Sequence, residues 1–242
     1  MFDQAQGINM NINFDKKKLL KLSNSVECYI SSEPISYSDA IEIMENRVNE
    51  ILNYNSPELI WLLEHPSIYT AGTSARVSEL IDKKRFPVYQ TGRGGRYTYH
   101  GPGQRVVYVM LDLSKRGNDI RKFVHKLEDW IISSLNYFNI ISEVHDDRIG
   151  IWVKNIANKS PKPIEKKIAA IGIRIRKGIT YHGVAININP ELEHFSGIIP
   201  CGIKKFGVTS LSDIGLTTTM EEFDEVLLDN FVKIFKDIDN NL

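Results

Sequence analysis

Apolar residues recur at spacings of three and four between positions 119 and 138: Ile120, Phe123, Val124, Leu127, Trp130, Ile131, Leu135 and Phe138. That period lines one face of a helix and predicts one over Asp119–Phe138, following Asn118. The same pattern predicts a helix over Met220–Phe235, with Phe223, Val226, Leu227, Phe231 and Ile234 on its buried face. Thr219 and Glu222 stand at capping-box spacing, where each side chain satisfies a free backbone donor. A third helix, Ser38–Leu52, follows Ser36 and Ser38, both suited to cap it. Between the helices, Leu59–Glu64, Arg105–Leu111, Ile149–Val153, Lys167–Arg176 and Ile179–Asn189 are β-rich runs bounded by Gly, Pro or charge. Segregated strands with few helices predict an α+β domain, not a regular βαβ repeat.

The last two runs meet at Lys177-Gly178, a pair suited to a two-residue hairpin loop. In that register Gly172 faces Gly183 and Ala170 faces Ala185, all four on one side of the sheet. The patch has almost no side chains. Interiors are close-packed, so another backbone segment or a ligand must lie there. The opposite side carries Ile171, Ile173 and Ile175 against Val184, Ile186 and Ile188, and reads as core.

The chain has 242 residues, 42% of them hydrophobic, enough for one sizeable core. We expect an N-terminal extension over residues 1–30 and a single catalytic domain over 31–242. Thirty basic residues balance thirty acidic ones, which argues against a nucleic-acid binder. Two cysteines, Cys28 and Cys201, exclude a disulfide scaffold. No run reaches the length of a membrane span and no export signal is evident, so a cytoplasmic protein is expected.

The densest chemical signal is Thr91–Gln104, with five glycines in fourteen residues and His100 among them. Glycine lets a backbone approach a ligand closely. No Gly-Lys-Ser/Thr follows, and the run precedes a strand, so it is neither a P-loop nor a dinucleotide fingerprint. The six histidines form no His-Glu-x-x-His and the cysteines no Cys-x-x-Cys, so no metal site is expected. Pro200 and Gly202 place Cys201 in a tight turn, where a thiol is presented, whereas Cys28 sits in an ordinary strand pattern. Residues 83–111 carry six basic side chains and no acid, and 154–177 carry eight against Glu165 alone. Such segments draw an acidic partner, and a nearby lysine favours the thiolate form of a cysteine.

Leu62-Leu-Glu-His-Pro66, Thr70-Ala-Gly-Thr73, Arg93-Gly-Gly-Arg-Tyr-Thr-Tyr-His-Gly-Pro-Gly-Gln104, Lys167-Ile-Ala-Ala-Ile-Gly172, Thr180-Tyr-His-Gly-Val-Ala-Ile-Asn187 and Pro200-Cys-Gly-Ile203 resemble the lipoate-pathway octanoyltransferases in order and spacing. The resemblance implies a fold like the catalytic domains of biotin and lipoate protein ligases, a mixed or antiparallel sheet with flanking helices. It implies Cys201 as nucleophile and Lys167 as the amine that lowers its pKa. It places acyl binding at Arg93, Gly94, Gly95, Arg96, Tyr97, Thr98, Tyr99 and His100, at Ala170, Ile171 and Gly172, and at Gly183, Val184 and Ala185. The implied donor is octanoyl-acyl carrier protein. The implied acceptors are the lipoyl domains of 2-oxoacid dehydrogenases and glycine cleavage H protein. No cofactor is implied, and a monomer is expected.

Strict alternation sets Lys167 with Ile171 and off the small-residue patch, so a bulge or a strand end must intervene. Residues 155–165 read as a polar insertion. Three other activities remain open: an ATP-dependent lipoate or biotin ligase, an amidotransferase moving octanoyl or lipoyl groups between proteins, and an acyl-binding module without catalysis.

Overall fold

The computed structural model describes residues 19–23, 25–155, 164–202 and 206–235, with the backbone alone at 19, 155, 164 and 201. Most of the polar stretch expected at 155–165 lies outside the described residues. In chain order the elements are β1 Leu19–Lys21, β2 Val26–Ile30, α1 Tyr37–Tyr54, β3 Glu58–Leu63, β4 Ile68–Ala71, β5 Val88–Gln90, β6 Tyr97–His100, β7 Gln104–Met110, α2 Ile120–Tyr137, β8 Ser142–His145, β9 Arg148–Asn155, β10 Ile164–Arg176, β11 Ile179–Asn187, β12 Gly207–Val208 and α3 Met220–Ile234.

The main sheet runs β1-β2-β3-β7-β11-β10-β9-β8, with β12 beside β10. Its pairs are antiparallel except β2–β3 and β10–β12. It is therefore the mixed sheet with flanking helices that the patterning and the resemblance imply. One face packs Ile60, Leu62, Val107, Val109, Val184 and Ile186 against the apolar stripes of α2 and α3. The other packs Trp61, Leu63, Tyr108, Met110 and Tyr181 against Ala40, Ile43, Met44 and Val48 of α1. Ser36 caps α1, accepting from the Asp39 amide, and Thr219 with Glu222 form the capping box of α3. The cap of α2 is Asp119, which accepts from the Lys122 amide.

Two expectations change. Residues 19–30 contribute β1 and β2 to the main sheet, so the folded unit begins before residue 31. The glycine-rich run is also more than a loop: Tyr97–His100 is the β6 strand of a second sheet, ordered β5-β4-β6. A four-residue strand hemmed in by Gly95 and Gly101 is too short for periodicity to reveal. Tertiary pairing of Ile68–Ala71 with Tyr97–His100 makes it one.

Two buried ion pairs tie layers together. Arg105 on β7 donates to both carboxylate oxygens of Asp224 on α3, at 2.8 Å each. Arg116 donates to Glu58 at 2.7 and 2.8 Å. Removing one partner leaves a buried charge unanswered, so Asp224→Ala is expected to cost about 3–5 kcal/mol in denaturant unfolding.

Candidate active site

The hairpin at Lys177-Gly178 turns with φ of 51° and 85°, both left-handed, as a primed two-residue turn requires. Gly172 pairs with Gly183 and Ala170 with Ala185, the register the sequence predicts. This small-residue floor continues onto β7, where Val106 and Tyr108 lie opposite Ala185 and Gly183. Above it lies a cavity of about 600 Å³. Both occupants expected for the missing side chains are accommodated. Over Gly172 passes backbone: an added Cβ would stand 3.3 Å from the Gly94 carbonyl oxygen and from Arg93 Cδ. At Gly183 backbone takes the space as well, since a Cβ would stand 2.1 Å from the Val107 carbonyl oxygen, and the cavity opens beside these two glycines and over Ala170 and Ala185.

Lys167 reaches the same cavity through a bulge. β10 pairs Lys167 with Trp152 but Ala169 with Ile151, so two steps on β10 match one on β9. Ile168 and Ala169 both enter the core below. The parity flips there, and Lys167 joins the cavity side with Ala170. It is 6% exposed. Its Nζ donates to the Ile149 carbonyl at 2.7 Å and lies 4.8 Å from the Trp152 ring centroid. Gly150 leaves this space: a Cβ there would stand 3.1 Å from Nζ. A glycine inside a strand is the signal of such a close approach, and it stood unread in Ile149-Gly-Ile151.

The Pro200–Gly202 turn carries Cys201 beside this cavity, which Gly202 lines. The Cys201 side chain itself lies outside the described residues. The turn is strapped from behind: the Ile199 amide donates to the Glu79 carbonyl at 2.8 Å, and Leu80 bridges Ile198. Arg96 lies against Gly202, where a Cβ would meet its Nη1 at 2.3 Å, and pairs with the buried carboxylate of Glu79. Cys28 is fully buried, and burial, then Asp224, pushes its thiol up to about 12. It cannot serve as a thiolate near neutral pH.

The glycine-rich segment divides by strand alternation. Arg93, Gly94, Gly95, Arg96, Thr98 and His100 line the cavity. Tyr97 and Tyr99 point away, into a separate cluster with Tyr69, Ala71 and Phe195, which corrects their expected place in the acyl site. Ile171 and Val184 border the cavity with their side chains packed toward the core below. Arg93 is a clamp, 9% exposed. It donates to Thr70 O, Thr70 Oγ1, Arg96 O and Gly94 O at 2.7–3.0 Å. From there a polar chain continues. Thr70 Oγ1 lies 3.3 Å from His100 Nε2, and His100 Nδ1 lies 2.7 Å from Gln104 Oε1. Gln104 donates to Asn187 Oδ1 at 2.9 Å. Because Gln104 Oε1 can only accept, His100 donates from Nδ1, and burial, with His65 and the Arg93 cation, holds it well below the usual imidazole range and so neutral.

The basic segments are less available than their sequence implies. Arg105 is in its buried pair, Arg93 in its clamp, Arg96 on Glu79, and Arg85 on Asp82 and Glu193. Charge reversal at Arg93 therefore tests the loop, not partner docking. Lys83, Lys84, Arg174, Arg176 and Lys177 remain exposed. Among the described residues Glu143, His145 and Glu165 lie close enough to share a metal ion, but Lys154 already pairs with Glu143 and Arg148 with Glu165. No described helix is long and apolar enough to cross a membrane.

Two further histidines border the site. His65 donates from Nδ1 to the Ile35 carbonyl and accepts from the Tyr108 hydroxyl, each at 2.7 Å. Burial holds it down to about 4, and burial with the Arg93 and Arg174 cations holds His182 at about 3. Both are neutral when folded but protonate near 6.5 when unfolded. The unfolded chain therefore binds more protons below 6.5, and stability falls as pH drops from about 6.5 toward 4. Between pH 7 and 5 we expect a loss of about 2 kcal/mol from His65 alone, read as a lower thermal midpoint. His65→Asn should flatten that dependence.

The family model described as the lipoyl protein ligase A/B catalytic domain matches residues 36–232. The octanoyltransferase of Parvibaculum lavamentivorans is 54% identical over 209 residues, covering 86% of this chain and 92% of that protein. The octanoyltransferase of Paramagnetospirillum magneticum is 53% identical over 210 residues, covering 87% and 97%. The fold is similar to a bipartite lipoate protein ligase from Thermoplasma acidophilum, with a TM-score of 0.63 at 15% identity over 84% and 82% of the two chains. It is also similar to a lipoate-protein ligase A bound with ATP, with a TM-score of 0.62 at 16% identity over 86% and 85%. With its patterned sheet, small-residue floor and cysteine turn on one cavity, the chain belongs to the lipoyl protein ligase A/B catalytic domain family, and within it to the octanoyltransferases.

Proposed function

We propose that this octanoyltransferase takes its acyl group from octanoyl-acyl carrier protein and delivers it to the acceptor lysine of lipoyl domains, those of 2-oxoacid dehydrogenases and glycine cleavage H protein. It does so in the cytoplasm, as a monomer, through a thioester on Cys201. The observation that carries the reading is the bulge that turns Lys167 onto the cavity bordered by the Pro200–Gly202 turn.

The Cys201 thiolate attacks the donor thioester, and the carrier thiolate leaves with a proton from Lys167. Lys167 is then a neutral amine. The acceptor amine, deprotonated from its usual pKa near 10.4, attacks the Cys201 thioester and passes its surplus proton to Lys167. Amide forms, and the thiolate and ammonium are restored. The first exchange is thioester for thioester and the second is downhill, so no ATP is consumed. Splitting the transfer in two is ordinary covalent catalysis. Backbone amides of the glycine-rich segment and of the cysteine turn are the available oxyanion donors. The small-residue floor receives the acyl chain.

The test is incubation with octanoyl-carrier protein without ATP, read by intact mass, then a chase with unmodified lipoyl domain. An octanoyl adduct that the chase discharges supports the reading. An ATP requirement would make the chain a ligase. Transfer only from an acylated lipoyl domain would make it an amidotransferase, and no adduct at all would leave an acyl-binding module.

A further inference from the structure

The cavity is not apolar throughout. Its floor is, over Ala170, Gly172, Gly183, Ala185 and Val106, but Tyr37 and His182 line it as well. Tyr37 is 4% exposed, and its hydroxyl has only the Thr91 hydroxyl beside it, with no well-formed hydrogen bond among the described residues. His182 is 3% exposed and makes no hydrogen bond through its ring with any described residue. Its backbone explains its direction. Tyr181 and Ala185 face α1, so alternation would send His182 into the opposite core. Instead His182 has φ of 58°, left-handed and costly for a residue with a side chain. Its ring stacks on Tyr181 and lies 6.1 Å from that of Tyr108 on the cavity wall. A strained backbone thus aims a buried imidazole without a partner into the acyl cavity.

Tyr37 and His182 belong to the end of the floor away from Lys167. Gly172 and Gly183 lie one row, about 7 Å of strand, beyond Ala170 and Ala185. Tyr108 completes that second row, and its hydroxyl meets His65, whose ring lies 5.4 Å from that of Tyr37. Lys167 adjoins Ala170, before the first row. An acyl chain fixed beside Lys167, laid over Ala170 and Ala185 and passing beside the Arg93–Gly94 backbone that covers Gly172, therefore brings its far end to Tyr37 and His182 in the same cavity.

We propose that this end of the cavity is a polar subsite for a hydrogen-bonding group at the far end of the acyl chain, so that the enzyme transfers ω-hydroxylated medium-chain acyl groups as well as plain ones. This rests on the reading that the acyl chain occupies the floor. The chemistry of the subsite is neutral. Burial keeps the phenol protonated up to about 12 and the imidazole unprotonated down to about 3. Each can donate and accept, which suits a hydroxyl. The Arg93 cation acts on both groups and disfavours an ω-ammonium. The two exchanges at Cys201 proceed as for octanoyl, and the ω-hydroxyl is carried through unchanged.

The experiment compares octanoyl-, 8-hydroxyoctanoyl- and 8-aminooctanoyl-carrier protein as competing donors to unmodified lipoyl domain. The matching acyl-pantetheines are titrated in parallel to read binding without turnover. We expect the hydroxylated chain within about threefold of octanoyl, and the amino chain at least about 100-fold below both. Tyr37→Phe should lower the hydroxyl-to-octanoyl ratio by about tenfold. His182→Gly, which keeps a left-handed backbone accessible, should lower it too and stands in if Tyr37→Phe does not fold. A wild-type preference for octanoyl of about 30-fold or more, or a ratio unmoved by either substitution, overturns the subsite. Absence of octanoyl transfer and of acyl mass on Cys201 overturns instead the function reading, and the binding ratio still decides the subsite.

Discussion

Cys201→Ser is expected to lose the octanoyl adduct and to slow transfer by about 10⁴-fold or more, the scale on which a nucleophile's removal acts. Serine keeps the size of the side chain and its place in the Pro200–Gly202 turn, so the fold should be unaffected. What is lost is acidity: a hydroxyl is not ionised by a neighbouring ammonium near neutral pH, whereas a thiol, with a pKa of about 8.5 when free, is brought within reach. The second cysteine supplies the internal control. Cys28 is fully buried in β2, with its thiol pushed up to about 12, so no acyl mass should appear there in either protein. An adduct on the serine variant, or one mapped to Cys28, would contradict the assignment. Intact mass followed by peptide mapping reads both outcomes from one sample.

Lys167→Met should cost about 10²–10⁴-fold in transfer, the range of a lost general acid–base group. Methionine retains most of the buried stem, so packing over Trp152 is largely kept. The pH dependence carries the discrimination. Without the ammonium, adduct formation should need the thiol to ionise unaided, and its profile should move toward about 8.5. Lys167→Arg separates the two duties. Guanidinium restores the positive charge and should recover part of adduct formation, but it does not surrender a proton, so discharge to the lipoyl domain should stay slow. Equal recovery of both half-reactions would show that charge alone matters. A methionine variant with wild-type rates would remove Lys167 from the mechanism.

Local pattern determined much of this protein. The stripes on α2 and α3, the capping box at Thr219 and Glu222, and the Lys177-Gly178 hairpin depend on residues within a few positions of each other. Spacing of three and four, or a two-residue turn, reports such local geometry directly. The facing of Gly172 with Gly183 follows from that turn, because one loop sets every pair in a hairpin.

Other features needed contacts between distant residues. Alternation showed that Lys167 required a bulge, but pairing with Trp152 and Ile151 decided where it falls. Arg93 and Arg105, in a basic segment expected to draw an acidic partner, are not available to one because Thr70 and Asp224, far away in the chain, take them up. Tyr97 and Tyr99 left the site because pairing with β4 made their segment a strand and alternation turned them outward. The buried hydroxyl of Tyr37 on the cavity wall and the inverted direction of His182 have no signature in residue order. The chain alone thus determines the helices, most of the strands and the hairpin register. Burial and partnership join residues tens of positions apart, so only the tertiary structure decides which charges are spent inside and which polar groups are left facing the cavity.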